Sequence, residues 1–368
     1  MVIRRDSGAD KSPVIYNLFL LIEGPMKKLL LATAVAALSV SAAHAAPTVY
    51  GKVFLTADYT DTNYDDNYRA SATATSAPND ESTVKLNSNA SRIGFKGSEE
   101  LTDTVNLVYQ LEYGVSPDDD RTQFTSRNTY IGLAHNTLGT LIAGRHDTPF
   151  RLAKGNADVF NANVDTLSIY NPGPRGYTNL GEYRANNMVA YKSPTIVGMP
   201  VTFTAAVSLS EVDKDTDSPA TEKDEGANGY SASLVYDQNG VYLAAGYDNN
   251  MGVEDTAWRL AGTVDMGKMN MVQGLTLGAL YQNADLFNVN DDAKTWLISG
   301  KYAIANTPWT AKAQYINTDF GNNDISEVAV GGEYAFNKAT TGHIYAGQIS
   351  RDNYKDDTIV GTGIEYKF

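Results

Sequence analysis

The sequence predicts an all-β fold, a 16-stranded antiparallel transmembrane β-barrel in which the third long external connection folds into the lumen. Three observations favour this fold. Segments that alternate polar and apolar residues with a period of two recur along the chain. The connections between these segments alternate between short and long. Charged and amide side chains recur in the middle of the segments, on the face opposite the apolar one.

The alternation is clearest in the last segment, "TIVGTGIEYKF". Val360, Ile364 and Phe368 share one face of this segment, and Gly361 and Glu365 share the other. About sixteen segments show this pattern along the chain. They begin near Val49, Glu81, Thr104, Thr125, Gly139, Arg184, Pro200, Gly229, Val241, Ala257, Leu275, Lys294, Trp309, Ile325, Thr341 and Asp357.

Short connections such as "HNTL" and "FNKATTG" alternate with longer polar ones at 60–80, 114–124, 147–183 and 210–228. Short turns at one end, long loops at the other and an even number of strands are typical of outer-membrane barrels. A soluble β-sandwich or repeat would show the same alternation, but its core would not bury unpaired charges. A barrel of sixteen strands is wide enough for an aqueous lumen, which would hydrate these charges.

The N-terminal region predicts an exported protein. Residues 26–45 have the pattern of a signal peptide: a charged start at Lys27 and Lys28, an apolar run from Leu29 to Val40, and the cleavage pattern Ala43-His44-Ala45. A transmembrane anchor is disfavoured because this run is shorter than the ~20 residues that span a bilayer. We interpret residues 1–25 as a mis-assigned start and residues 46–368 as the mature barrel.

The composition excludes several classes of function. Residues 1–45 contain five basic and three acidic residues, so residues 46–368 keep 24 basic and 40 acidic residues, a net charge of −16. This balance gives no support to a nucleic-acid partner. The chain has no cysteine and therefore no disulfide bond. No apolar run in the mature part approaches the 18 residues of a transmembrane helix.

The longest connection, 148–183, predicts a constriction, because an open barrel of this width needs an element that narrows it. Its length is sufficient to reach the opposite wall, and its carboxylates Asp158 and Asp165 are the candidate acidic residues. The candidate basic wall consists of five cations on the first six segments, namely Lys52, Arg92, Arg127, Arg145 and Arg184. Cations facing carboxylates would create a transverse field that orients water and dipolar solutes. The alternative for each cation is a solvated residue or one that reaches lipid head groups.

The order and spacing of several motifs resemble those of the Gram-negative general porins. These motifs are "VYGKVFLTADY", "SRIGFKGSEEL", "VYQLEYG", "SRNTYIGLAHNTLGTLIAGR" and the terminal "YKF". The resemblance implies a homotrimer of 16-stranded barrels, each narrowed by its third external loop. It assigns Lys52, Arg92, Arg145 and Arg184 to the basic wall and matches Arg127 to the arginine of "SRNT". It also implies that Tyr366 and Phe368 form a C-terminal assembly signal.

The acidic side of the constriction departs from the family pattern. The enterobacterial "PEFGGD" pattern is missing, so Asp158 and Asp165 are chosen by their location, and Asp147 is a third candidate. The net charge of −16 predicts a lumen that is weakly cation-selective, although the arginine cluster argues for anions. Acidic runs such as "YDDN" and "SPDDDR" are solvated, or they bridge to lipopolysaccharide through divalent cations.

The leading hypothesis is a general diffusion porin of the Gram-negative outer membrane, which passes ions and small hydrophilic solutes without a cofactor. Its expected partners are two further copies of the chain, outer-membrane lipid and lipopolysaccharide. The alternatives are a substrate-preferring porin and a surface adhesin or receptor. An enzyme is not expected, because the mature chain has three histidines, His135, His146 and His343, and no assigned nucleophile.

Overall fold

The computed structural model describes residues 46–66, 79–119, 124–161, 180–195, 199–209, 229–251, 256–285, 292–321 and 323–368. Residues 1–25, interpreted as a mis-assigned start, and the predicted signal peptide, 26–45, lie outside the described residues. The first six strands are β1 (Thr48–Tyr64), β2 (Glu81–Ser88), β3 (Arg92–Thr102), β4 (Val105–Gly114), β5 (Thr125–His135) and β6 (Gly139–Asp147). A single helical turn, α1 (Pro149–Leu152), follows β6. Within the described ranges, no helix is long and apolar enough to cross a membrane.

The remaining strands follow one another without a further described helix. They are β7 (Arg184–Lys192), β8 (Val201–Ser208), β9 (Tyr230–Gln238), β10 (Val241–Asn249), β11 (Thr256–Asp265), β12 (Leu275–Ala284), β13 (Ala293–Ala303), β14 (Trp309–Asp319), β15 (Asp324–Ala335), β16 (Thr340–Arg351) and β17 (Lys355–Lys367). Each strand pairs antiparallel with its neighbours in a single sheet, and β1 pairs with β17 to close that sheet. Closure leaves no free sheet edge, as a membrane-spanning sheet requires.

The predicted count of sixteen crossings is confirmed, because β2 and β3 form one crossing in two segments. Both pair with β1, and the register shifts at residues 89–91. Ala90 adopts a positive φ of 53° in this break. The backbone N–H of Phe54 on β1 donates to Ser91 Oγ over 2.9 Å, so a side chain replaces a ladder hydrogen bond. Such a bulge bends a strand locally without ending the pairing.

The two faces of the sheet differ as the alternation predicts. On β17, Val360 and Ile364 are half exposed on the outer face, whereas Gly361 and Glu365 are buried on the inner face. The same inside-out pattern holds for β14, where Gln314 and Thr318 point inward and are buried. Large apolar side chains on the outside and polar ones on the inside suit a barrel with lipid around it and water within.

Aromatic side chains form two rows on the outer face. The row nearer the long connections contains Tyr230, Tyr247, Trp258, Tyr281, Trp296 and Tyr315, and the other contains Tyr302, Trp309, Tyr334, Phe336, Tyr366 and Phe368. Trp296 and Tyr302 lie on the same strand, six residues apart. At about 3.3 Å per residue the rows are therefore roughly 20 Å apart along a strand. An apolar band between two aromatic girdles is typical of outer-membrane barrels.

The two ends of the barrel carry different connections. At the short-turn end, Asn239 and Gly240 have φ values of 54° and 83°, which suits a two-residue hairpin turn with two positive φ angles. At the long-loop end, the connection between β6 and β7 is the longest. The last two connections at that end, 320–323 and 352–354, are as short as turns, so the alternation in length fades toward the C-terminus.

Candidate functional site

The connection between β6 and β7 is described at residues 148–161 and 180–183. Its first turn is capped by Thr148, whose Oγ1 accepts a hydrogen bond from the N–H of Arg151 over 3.1 Å. The N–H of Phe150 then donates to Ser231 Oγ on β9 over 3.0 Å. Nine residues later, the N–H of Val159 donates to Gln314 Oε1 on β14 over 2.8 Å. These wall residues face inward, so this segment lies against the inner face of the later strands.

An apolar stripe on the inner face explains why the segment lies there. Leu280, Leu297 and Ile316 point inward from β12, β13 and β14, and they are buried in one cluster with Ala157 of the connection. Phe150, Phe160 and Leu180 of the connection belong to a second cluster, with inward-facing residues of β11–β16. The connection therefore removes apolar wall surface from the water of the lumen.

Buried charges join the two described ends of this connection to the wall. Arg259 on β11 is fully buried, and its Nη1 lies 2.8 Å from Glu182 Oε1. Its Nε donates to Gln282 Oε1 over 2.9 Å, and its guanidinium lies 4.3 Å from the centre of the Phe150 ring. Lys154 Nζ lies 2.9 Å from the other oxygen, Glu182 Oε2. We name Arg259, Glu182 and Lys154 the loop clamp.

The clamp controls the protonation of its carboxylate. Burial alone raises the pKa of Glu182, but the positive charges of Lys154, Arg259 and Arg151 outweigh burial and lower this pKa to about 2. The carboxylate therefore stays ionised at neutral pH, although Glu182 is buried.

Four of the five predicted wall cations point inward, and the first three of these pair with two buried glutamates. Lys52 Nζ lies 3.1 Å from Glu365 Oε2. Glu112 pairs with two arginines. Its Oε2 lies 3.5 Å from Arg92 Nε, and its Oε1 lies 2.7 Å from Arg127 Nε. Arg127 reaches the inner face because the register between β4 and β5 shifts at this position.

The fourth inward cation, Arg184, pairs with the acidic candidate Asp147 at the root of the connection. Asp147 Oδ1 lies 3.0 Å from Arg184 Nε and 3.1 Å from Arg151 Nε. The amide of Asn128 donates to Asp147 Oδ2 over 2.8 Å. The structure therefore brings one predicted carboxylate and one predicted wall arginine into direct contact, beside the start of α1.

The other acidic candidates have different surroundings. Asp158 is buried and faces the wall, where Lys154 Nζ lies 3.1 Å from its Oδ2 and Gln314 Nε2 donates to its Oδ1 over 3.1 Å. It anchors the connection to the wall, and its role as a pore-facing charge stays a prediction that this geometry does not favour. Asp165 lies outside the described residues.

Arg145 lies on the other face of the sheet from the four inward cations. It pairs across the strands with Thr129, which pairs with the exposed Leu111 on the outer face. Directly opposed residues share a face, so the side chain of Arg145 emerges outward. Its guanidinium donates to the carbonyl oxygens of Ser126 and Arg184, over 3.1 and 3.2 Å.

The three histidines of the barrel accept a hydrogen bond in a turn or pack against an aromatic ring. His135 Nδ1 accepts from the N–H of Thr137 over 3.1 Å in a short turn. His146 packs edge-on against Tyr130, with ring centres 5.2 Å apart. His343 packs against Phe54 at 4.6 Å. Across the described ranges, no group of three or more His, Cys, Asp or Glu residues is arranged to hold a metal ion.

The predicted C-terminal signal lies where the barrel closes. Phe368 exchanges two backbone hydrogen bonds with Gly51 of β1, over 2.9 and 3.1 Å. The ring of Phe368 covers Gly51, where a Cβ atom would lie 2.5 Å from the ring. Tyr366 is half exposed on the same outer face. The last residues of the chain therefore complete the seam between the first and the last strand.

A closed barrel with a charge-lined interior and an apolar outer face defines a channel-forming membrane protein. Residues 32–355 match the family described as Gram-negative porin, and the chain belongs to that family. The predicted resemblance is thereby confirmed. The major outer membrane protein P.IB of Neisseria meningitidis serogroup B is 27% identical over 365 residues, which cover 93% of this chain and 100% of the relative.

Two solved structures show the same fold at low sequence identity. The anion-selective porin from Comamonas acidovorans aligns with a TM-score of 0.68 and 18% identity, over 88% of this chain and 99% of that chain. A trimer form of the outer membrane protein OmpT from Vibrio cholerae aligns with a TM-score of 0.53 and 16% identity, over 88% of this chain and 99% of that chain.

Proposed function

We propose that this protein is a general diffusion porin of the outer membrane. It forms a water-filled channel through which ions and small hydrophilic solutes pass down their gradients. The observation that carries this proposal is the closed barrel of sixteen crossings, with an inner face of paired charges and an outer face of exposed apolar side chains. A barrel of this size leaves an aqueous channel.

The connection between β6 and β7 narrows this channel. Its described residues, 148–161 and 180–183, lie against the inner face of the later strands. Arg92, Arg127 and Arg184 then face the remaining passage from one side. Guanidinium groups stay charged in such a wet site, so they order water and dipolar solutes at the narrow point.

The protein acts as a homotrimer and is exported through a signal peptide that is cleaved after Ala45. A shallow apolar depression on the outer face of β15–β17, β1 and β2 supports a contact between copies. It has a volume of about 560 Å³, and its lining contains the outward-facing small residues Ala57, Gly332 and Ala346. Small residues allow another surface to approach closely. Outer-membrane lipid and lipopolysaccharide surround the rest of the apolar band.

A liposome-swelling assay with the purified protein tests the proposed function. The rate of swelling should fall smoothly as the mass of a neutral sugar increases, without saturation by any one sugar. Protein that has been unfolded by heating provides the control. Saturable uptake of one solute would favour a substrate-preferring porin instead. A folded barrel that gives no swelling with any sugar would contradict the channel and favour an adhesin or receptor.

A further inference from the structure

We propose that the turn between β11 and β12 is a membrane anchor, which enters the phospholipid leaflet at the short-turn end of the barrel. The turn consists of residues 266–274, between Asp265 and Leu275, and we name it the methionine turn. By the strand bounds it is the longest connection at this end. Short turns of outer-membrane barrels lie on the periplasmic side, so the lipid is that of the periplasmic leaflet. The anchor concerns how the barrel sits in the membrane, and it does not depend on which solutes pass through the lumen.

The methionine turn exposes a cluster of apolar side chains. Met269, Met271 and Val272 are 45%, 64% and 44% exposed, and they lie close together in the sequence. The turn carries one charged side chain, Lys268, and no carboxylate. Single apolar residues are common on protein surfaces, but a contiguous apolar patch normally marks contact with another molecule or a membrane. The cluster therefore indicates that another surface covers this turn.

Hydrogen bonds hold the methionine turn in one conformation. The N–H of Met271 donates to the carbonyl oxygen of Met266 over 2.9 Å, which closes the turn on itself. The carboxylate of Asp265 accepts hydrogen bonds from the N–H groups of Gly267 and Lys268, over 3.0 and 3.1 Å. The apolar side chains are therefore presented by an ordered turn. A pre-organised turn loses little conformational entropy when it binds a surface.

The methionine turn leaves the barrel at the level of the aromatic row on the short-turn side. Leu275 is the cross-strand partner of Tyr302, which belongs to that row. The N–H of Met266 donates to the carbonyl oxygen of Leu275 over 2.8 Å, so the first residue of the turn lies at the same level. Aromatic girdles mark the interface between lipid and water. The exposed apolar side chains of the turn therefore emerge at this interface.

The aromatic row is interrupted where the methionine turn lies. Three aromatic residues face outward on β10–β12, and all belong to the row nearer the long connections, namely Tyr247, Trp258 and Tyr281. Tyr242 on β10 faces inward, where its hydroxyl donates to the carbonyl oxygen of Ala153 over 3.2 Å. Toward the short turns, these strands present aliphatic side chains such as Leu243 and Leu277. The turn therefore fills a gap in the girdle, where flexible methionines take the place of aromatic anchors.

A phospholipid leaflet fits this surface better than a second protein. The adjoining outer face is part of the apolar band, where Leu243, Leu260 and Leu277 are 54%, 53% and 44% exposed. Acyl chains cover this face of the barrel up to the level of the turn. An apolar surface at the interface is buried about 5–10 Å into the boundary between head groups and acyl chains. The turn has no carboxylate that would be repelled by lipid phosphates.

Site-specific labelling tests the anchor, because the chain has no cysteine of its own. Met271→Cys carries a polarity-sensitive fluorophore. Lys338→Cys, in the exposed turn between β15 and β16, carries the same fluorophore as the matched control. Both proteins are reconstituted into vesicles of phosphatidylethanolamine and phosphatidylglycerol, with iodide on both sides of the membrane. Iodide should quench the label at position 271 roughly threefold less efficiently than the label at position 338, because only the first label lies in the interface.

A second variant tests the neighbouring side chains. Met269→Ser and Val272→Ser, added to the labelled Met271→Cys protein, should restore quenching toward the level of the control. Equal quenching at positions 271 and 338 would overturn the anchor and leave the turn in water, as a surface for a periplasmic protein. Protection that persists in the second variant would also overturn it. A protected label on a folded barrel without conductance steps would keep the anchor and contradict the porin function. Resistance to unfolding in detergent shows that each barrel has formed.

Discussion

Arg259 Nη1 lies 2.8 Å from Glu182 Oε1, and both side chains are buried between the wall of β11 and the connection that enters the lumen. The two residues are 77 positions apart in the sequence. Their contact holds the end of the connection, just before β7, against the wall at β11. Lys154 joins the start of the same connection to the same carboxylate, so one glutamate secures both ends.

Arg259→Met should loosen the connection. The variant leaves Glu182 with Lys154 and Arg151 only, and breaking a buried ion pair costs about 3 kcal/mol of the free energy of unfolding. Single channels should become noisier and larger, and the largest sugar that swells liposomes should increase in size. Chemical unfolding in detergent and single-channel recording measure the two effects.

Lys268→Met is the matched control for Arg259→Met, because it removes a cation from an exposed turn at the far end of β11. This control should leave the conductance, the noise and the stability unchanged. Equal noise in the two variants would show that the clamp does not hold the connection.

The clamp should also produce a specific loss of stability in acid. The pKa of Glu182 is lowered from 4.5 to about 2 in the folded protein, so its contribution is fully present above pH 4.5. It is lost as the pH falls from about 4.5 toward 2, and it amounts to roughly 3 kcal/mol at 1.36 kcal/mol per pKa unit.

Glu182→Gln isolates this effect from the titration of other carboxylates. The difference in the free energy of unfolding between the unaltered protein and this variant should be constant from pH 7 to pH 5. It should shrink between pH 4.5 and pH 2. A difference that does not change with pH would mean that the carboxylate is not stabilised by its cations.

Gly361→Ala should destabilise the seam between β17 and β1. A Cβ atom at this position would overlap the ring of Tyr345 and a carboxylate oxygen of Asp58. Both side chains are held in place, because the hydroxyl of Tyr345 donates a hydrogen bond to Asp58. Such overpacking costs about 1–3 kcal/mol. Gly332→Ala is the control, because the nearest atom to its added Cβ is 3.4 Å away. The two unfolding midpoints in detergent should differ, and equal midpoints would contradict this packing.

Arg145→Ala and Arg127→Ala should have different effects on the pore. Arg145 lies on the outer face, so its loss should leave the single-channel conductance and the reversal potential unchanged. Arg127 lies on the inner face beside Glu112, so its loss removes a positive charge from the lumen and should shift the reversal potential. A clear change of conductance in the Arg145 variant would place that side chain in the lumen after all.

Most of the fold could be predicted from the sequence, because the period of two survives in nearly every strand. The outward-facing residues of β17 could be predicted from "TIVGTGIEYKF" alone. The break between β2 and β3 at residues 89–91 could not be predicted from the sequence. It depends on the side chain of Ser91, whose Oγ takes the place of a backbone acceptor. The strands β12–β14 carry apolar residues on both faces, and sequence reasoning did not use this pattern. Inward-facing Leu280, Leu297 and Ile316 would have predicted that a segment of the chain covers this part of the inner wall.

The charged site was less predictable, because its pairs join distant parts of the chain. Nothing near Arg259 in the sequence indicates Glu182 as its partner, and sequence reasoning missed both. The pairing of Glu112 and Glu365 with the wall cations was missed for the same reason. The outward position of Arg145 could have been predicted from the sequence. Arg145 follows Leu141 and Ala143 in a series of alternate, outward-facing positions of β6.

The most direct measurement of the central claim is the single-channel conductance of the purified protein in a planar bilayer, recorded over a range of salt concentrations. The account predicts ohmic steps that appear in groups of three and grow in proportion to the salt concentration, as a water-filled trimeric pore requires. A folded barrel that inserts but gives no steps at any salt concentration would contradict it, because the connection would then close the lumen.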